Sequence, residues 1–387
     1  MPDVIIIADD LTGANDTGGR LARQGVTCAL APYWREDLPA LGDSAAVWVF
    51  NTESRHCAPD EAARRVHCAA AWGRARGARV LYKKTDSVLR GPIGAELAAA
   101  QKTWNDGPLI YVPALPDAGR TVRDGHLFVY GVPLADTEFG ADPLAPAVTG
   151  TINTVLRKTS DAAITTIPLA ALRNGDNAIG GGSEIVIVEG ETSEDLTQTA
   201  TLVCNGRTPT CWAGPAAFAS HLPALFNVRT GAASSLAFDT PFLLVNGSKH
   251  PLAIAQTAAA VAAGFIPVVV CRETSSLDTA LDALRTGRNV ALYHHPKADD
   301  GPAGVSRRLI AAVEVLLTRG APGTTILFGG ETAQAVLRML ASQSCRIINE
   351  IALGLVLIET SGARGSFRII TKSGAFGTPD LIRECLL

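Results

Sequence analysis

The chain has 387 residues, more than the roughly 100–200 that one core usually organises, so two domains are expected. With 47% hydrophobic and 18% charged residues it has the make-up of a folded protein rather than a disordered one. A formal net charge of −3 and the lack of any run of Lys or Arg argue against nucleic acid or an anionic membrane as partner.

The start, "MPDVIII", has neither a basic leader nor a long apolar core, so it does not read as a secretory signal. The most membrane-like stretch, Leu252–Val270, is interrupted by Gln256, Gly264 and Pro267, and reads as a helix leading into a strand. The expectation is a soluble, cytoplasmic protein.

The first informative stretch is "VIIIADDLTGANDTGG", Val4–Gly19, where an apolar strand runs into Asp9 and Asp10, with a third acid at Asp16. Capping a helix start needs only one acid. Two adjacent acids repel, so the pair asks for a partner such as a cation or a row of ligand hydroxyls. The runs "CALAP", "AVWVFN", "RVLYKK" and "PLIYVPA" continue as strands, with "DEAARRVHCAAAWGRAR" and "GAELAAAQKTW" as helices between them. Apolar runs without alternation belong to a sheet covered on both faces, hence α/β layers.

The stretch "KKTDSVLRGPIGAEL", Lys83–Leu97, places Asp86, Ser87 and Arg90 after a strand, and Gly91-Pro92 then opens a helix. Strand ends are where α/β sheets bind ligands. An Arg can hold a carboxylate through two bonds, and an Asp can take paired hydroxyls. With Asp9 and Asp10, these residues suit a small hydroxylated acid. The Pro- and Gly-rich segment around 125–146 reads as an irregular segment or hairpin.

After the strand "GSEIVIVEG" comes Phe226–Thr240, small and polar without a period, the best candidate boundary. Beyond it "PFLLVNGS", "FIPVVVC", "NVALYHH" and "TTILFGG" are strands, and "ETAQAVLRMLAS" is a helix. Gly329-Gly330 ends a strand where that helix begins, near Glu331 and Thr332, and bare amides there suit a phosphate. Two more Gly/Ser turns follow strands in this half, at Gly247-Ser248 and between Lys372 and Gly377. Neither a P-loop nor a G-x-G-x-x-G occurs. Eight cysteines without a C-x-x-C read as free thiols. The pairs His56-Cys57 and His67-Cys68 do not converge on a metal, and no resident metal site is expected.

Taken in order, "IADDLTGANDTG", "KKTDSVLRGPIGAEL", "GRTVRDGHLFVYGVPLADTEFGADPL", "FGGETA" and "TKSGAFGTPD" resemble the four-carbon acid sugar kinases. These ATP-dependent enzymes include D-threonate, D-erythronate and 3-oxo-tetronate kinases, and the likeness spans nearly the whole chain. It implies two α/β domains with largely parallel sheets covered by helices. A sugar-acid-binding domain would span 1–230 and a nucleotide-binding domain 241–387, with the active site in the cleft between them. Carried over residue by residue, substrate contacts fall on Asp9, Asp10, Arg55, Asp86, Ser87 and Arg90. ATP contacts fall on Ser248, Gly329, Gly330, Glu331, Thr332 and Gly374. The sequence departs from the pattern at Lys249, His250 and Ala253, where a second serine and a threonine are usual. It departs again at Glu331 in place of an aspartate, and at His294 and His295 in place of small hydroxyl residues.

The resemblance implies transfer of the ATP γ-phosphoryl group to a terminal hydroxyl, with Mg²⁺ bridging the phosphates. Asp10 and Asp86 are both candidates for the acid that takes the hydroxyl proton. Arg90, with Arg55, would hold the substrate carboxylate. A phosphatase of the haloacid dehalogenase type would need Asp-x-Asp where adjacent acids stand. The departures at Lys249, His250 and Glu331 keep open a protein that binds a sugar acid without turning it over. A homodimer is the base-rate expectation for assembly.

Overall fold

The computed structural model describes residues 1–38, 45–140, 150–176, 178–179, 182–204, 206–232, 234, 236–270, 277–294, 301–362, 364–373 and 376–386. They form two compact units, Met1–Gly231 and Ala232–Leu387. After Phe226 the boundary stretch carries no helix among its described residues, and its one pairing is an isolated bridge from Thr230 to Val26.

The first unit begins with strands β1 (Val4–Ala8), β2 (Cys28–Ala31), β3 (Val47–Asn51), β4 (Val80–Lys84) and β5 (Leu109–Tyr111). An antiparallel meander follows, β6 (Arg120–Arg123), β7 (His126–Val129) and β8 (Val132–Pro133), overlapping the start of the segment 125–146 that reads as irregular or a hairpin. Then come β9 (Ile164–Ile167), β10 (Ala178–Ile179), β11 (Ile185–Val188), β12 (Val203–Cys204) and β13 (Cys211–Gly214). The main sheet is parallel, in the order β2-β3-β1-β4-β13-β5-β11-β9. Every residue of β1, β3 and β4 is buried, as a sheet covered on both faces requires. The covering helices are Leu11–Arg23, Pro59–Ala75 and Ile93–Trp104. Trp72 of the second meets Phe50 of β3 edge-on, ring centroids 4.9 Å apart. Register sets up the site: Ala8 pairs with both Asn51 and Lys84, so β3, β1 and β4 end level and their outgoing loops emerge side by side.

The second unit has β14 (Phe242–Asn246), β15 (Ile266–Val270), β16 (Val290–His294), β17 (Thr324–Phe328), β18 (Ser344–Ala352), β19 (Leu355–Gly362) and β20 (Gly365–Lys372). Their order is β15-β16-β14-β17-β20-β19-β18. The pairings from β15 to β20 are parallel, whereas β20, β19 and β18 pair antiparallel. Phe242, Leu244, Phe265, Ile326, Phe328 and Ile370 share one buried cluster here. The stretch Leu252–Val270 is the expected helix, Pro251–Ala262, leading into β15. Among the described residues no helix is long and apolar enough to cross a membrane.

Candidate active site

Asp9 and Asp10 leave β1 at its carboxyl end. Asp10 does what one acid at a helix start does: its Oδ1 accepts the Gly13 amide at 2.8 Å and caps Leu11–Arg23. The cation that the acid pair asks for is Arg55, on the loop leaving β3. Its Nε donates to Asp9 Oδ2 and its Nη1 to Asp10 Oδ2, each at 2.7 Å. Its Nη2 lies 3.4 Å from Asp86 Oδ2. One guanidinium thus meets three carboxylates from two other loops, those leaving β1 and β4. The amides of Ser54 and Arg55 donate to the Asp9 carbonyl at 3.1 and 3.4 Å, which ties the Arg55 loop to the end of β1.

Asp86 organises the third loop. Its Oδ1 accepts the amides of Val88 and Arg90 at 2.9 and 3.2 Å. Leu89, at φ 62°, turns the chain so that Arg90 folds back on Asp86. The fork is bidentate, Nε to Oδ1 at 3.1 Å and Nη2 to Oδ2 at 2.7 Å. Arg90, the expected holder of a substrate carboxylate, here holds that of Asp86. Ser87 stands half-buried in the same loop, and Pro92 occupies the N-cap position just before helix Ile93–Trp104. Asp16 is engaged away from this cluster, with Arg20 at 3.2 Å.

Asp9 and Asp86 are 2% and 4% exposed. Burial alone would push both carboxyls up. Arg55, Lys83 and Lys84 around Asp9, and Arg55, Arg90 and Lys84 around Asp86, overcome it and hold both below the usual carboxylate range. Burial likewise opposes the charge of Arg55, yet Asp10, Asp9 and Asp86 keep the guanidinium well above its ordinary value. Asp9 Oδ1 is buried and accepts no hydrogen bond from the described residues.

Sequence reasoning passed over Glu96. Its Oε2 lies 3.0 Å from Lys83 Nζ, and its Oε1 accepts Ser54 Oγ at 2.5 Å. The available signal was position: Glu96 sits one residue before Leu97 on the stripe Ile93, Leu97, Ala100 and Trp104, which is buried.

In the second unit β14, β17 and β20 also end level, since Phe328 pairs with both Asn246 and Lys372. Gly247-Ser248 follows the first and Gly329-Gly330 the second; Gly374, beyond the third, lies outside the described residues. Gly329 has φ 95°, a conformation that L side chains resist, and its amide donates to the Lys372 carbonyl at 3.0 Å. It is the N-cap of helix Gly330–Met339, whose start takes no side-chain cap among the described residues, so its first amides suit an anion. Thr332 is buried there and Glu331 is exposed. Ser248 donates its amide to Asn246 Oδ1 at 2.8 Å, and its Oγ accepts the His250 amide at 3.2 Å. His250 itself caps helix Pro251–Ala262, accepting the Leu252 amide on Nδ1 at 3.2 Å. The imidazole at this departure does the work of a capping hydroxyl. Beside these turns a cavity of about 420 Å³ is lined by Asn246, Ser248, Lys249, Ile254, Val261, Tyr293 and His294. His295 lies outside the described residues. Burial lowers the Lys372 ammonium to about 8, and Nζ sits 5.0 Å from the centre of the Phe328 ring.

Residues 4–222 match a family described as a sugar-binding N-terminal domain, and residues 227–382 one described as a nucleotide-binding C-terminal domain. A D-threonate kinase of Cupriavidus necator is 32% identical, with 97% of this chain and 95% of that protein covered. A 3-oxo-tetronate kinase of the same species is 29% identical, covering 98% and 95%. A solved structure from Salmonella typhimurium, described as a putative tRNA synthase, matches over 100% of both chains with TM-score 0.80 at 20% identity, which shows a shared fold. With both of its halves matched and near-full-length kinase relatives, the chain belongs to the four-carbon acid sugar kinase family.

Proposed function

We propose that the protein transfers the γ-phosphoryl group of ATP to the terminal hydroxyl of a four-carbon sugar acid, of the threonate, erythronate or oxo-tetronate kind. The observation that carries this reading is the meeting of Asp9, Asp10 and Asp86 on Arg55, with Arg90 beside them, at three level strand ends. Acids there can take substrate hydroxyls, and Arg90, whose Nη1 lies outside its fork with Asp86, can meet a substrate carboxylate. Of the two candidates for proton acceptor, Asp10 is favoured. Its side chain is 27% exposed, against 5% for Asp86. Phosphoryl transfer is mostly positioning and neutralisation of spread-out charge, so the base has a modest task.

In the nucleotide-binding half, the amides after Gly329 and the hydroxyl of Ser248 would hold phosphate oxygens. The neighbouring cavity, with its apolar wall from Ile254 and Val261, would take the base. Magnesium commonly enters on the triphosphate with only one or two protein carboxylates, and Glu331 is the acid at this turn. When bound it neutralises phosphate charge. A reaction fed by ATP suits the cytoplasm.

An ADP-release assay across a panel of four-carbon acids tests the whole reading. ADP release with at least one acid is expected. Tight binding of an acid without ADP release at any magnesium concentration would make the protein a sensor instead. The phosphate turn has its own test. A Cβ on Gly247 would lie 2.1 Å from Thr332 Oγ1, so the two turns touch and Gly247→Ala must push them apart. Such overpacking costs about 1–3 kcal/mol, and ATP affinity should fall about tenfold while sugar-acid affinity holds. Calorimetric titration with each ligand reads both, and unchanged ATP affinity would remove the phosphates from this turn.

A further inference from the structure

Beneath the acid cluster lie four polar side chains that the proposed reaction does not touch. Thr52, Ser54 and Lys83 are each 0% exposed and Glu96 is 1% exposed. Glu96 reaches in from the first turn of helix Ile93–Trp104 and is held at both oxygens, by Ser54 Oγ at 2.5 Å and Lys83 Nζ at 3.0 Å. Ser54 Oγ lies 2.7 Å from Thr52 Oγ1, which donates to the Ala8 carbonyl at 2.8 Å. Ser54 is the residue before Arg55, and its amide holds the Asp9 carbonyl. The chain of contacts therefore runs from a helix, through Glu96 and Ser54, to the loop that carries Arg55.

A buried ion pair is a poor device for stability alone, because well-packed apolar residues in its place are often neutral or stabilising. Lys83 also acts on two acids at once. Its charge helps to keep Asp9 ionised while it offsets the effect of burial on Glu96, whose carboxyl burial and Asp9 together push up. We propose that Glu96 is a positioning residue for sugar-acid binding: by gripping Ser54 and Lys83 it fixes the Arg55 guanidinium over Asp9, Asp10 and Asp86. The inference rests on the reading above that Arg55 and these acids form the sugar-acid site.

The test uses the full chain and steady-state kinetics with the best acid of the panel. Glu96→Gln keeps the shape and removes the charge; Ser54→Ala cuts the same chain of contacts one step later and covers the case in which the first variant does not fold. Misplacing a binding group by about 1 Å can cost on the order of a hundredfold, so either variant should raise the acid KM about tenfold or more. The ATP KM should stay within about twofold. In an Arg55→Lys background Glu96→Gln should add less than about twofold, because the two residues act through one guanidinium. A variant that lowers only the melting temperature, or an effect that multiplies in full with Arg55→Lys, overturns the proposal. If Arg55→Lys alone leaves the acid KM unaltered, the sugar acid does not sit at Arg55, and both readings fall together on that separate result.

Discussion

Asp86→Ala should reduce turnover by on the order of a thousandfold while ATP affinity stays within about twofold. The substitution takes the acceptor from the amides of Val88 and Arg90 and the partner from the Arg90 fork. Each stranded amide costs about 1–3 kcal/mol, so stability should fall as well, by about 3 kcal/mol in a thermal or urea melt. Arg55 would keep Asp9 and Asp10, so the other two acids stay in place. The damage belongs to the geometry of the sugar acid, and the acid KM should rise along with the loss of kcat. Asp10→Asn should differ in kind, lowering kcat more than it raises the acid KM, since it removes the proposed proton acceptor while the amide oxygen can still cap Gly13 and Arg55 keeps Asp9 and Asp86. Equal effects of Asp10→Asn and Asp86→Asn on both constants would refute this division of labour. ATP binding lost in Asp86→Ala with sugar-acid binding retained would exchange the roles of the two halves.

The sequence disclosed the strand ends better than the contacts across them. Two adjacent acids after β1 demanded a cation, and that demand is physical. Which cation answers it was not readable from spacing, because Arg55 and Asp9 stand 46 residues apart and meet only through the pairing of β1 with β3. Resemblance to the family supplied Arg55. Glu96 escaped both routes: a charged residue in a helix's first turn ordinarily reads as exposed, and its place beside the apolar stripe was the one cue that it turns inward. In the second half the alternation of strand and helix predicted parallel pairing, and β14 to β17 follow it. The chain from Ser344 to Lys372 has no helix between its strands among the described residues, and it folds as the antiparallel run β18-β19-β20. His250 is the reverse case: set against the family pattern it is a loss, whereas its ring caps a helix.

Acidification should unfold the protein steeply below about pH 4. Asp9 and Asp86 both titrate lower in the fold than the value near 3.9 expected in an unfolded chain. Their contribution is complete above that unfolded value and is lost as pH falls toward the folded values, because over that range only the unfolded chain takes up the protons. Each such group steepens the loss by up to about 1.4 kcal/mol per pH unit. Asp195, held at about 2 by Arg173 against burial and aided by the amides of Glu191 and Thr192, adds to the same slope. Glu96 runs the other way. Its carboxyl is pushed up, so its contribution is complete below the ordinary value near 4.3 and shrinks as pH rises through the folded one. Melting temperatures of wild type and Asp86→Asn across a pH series separate these contributions. The variant starts lower near neutrality and should lose less on acidification, so the two curves converge toward pH 2. Parallel curves down to that pH would mean that Asp86 takes up its proton at the same pH folded and unfolded, and that the guanidinium groups of Arg55 and Arg90 do not hold it charged.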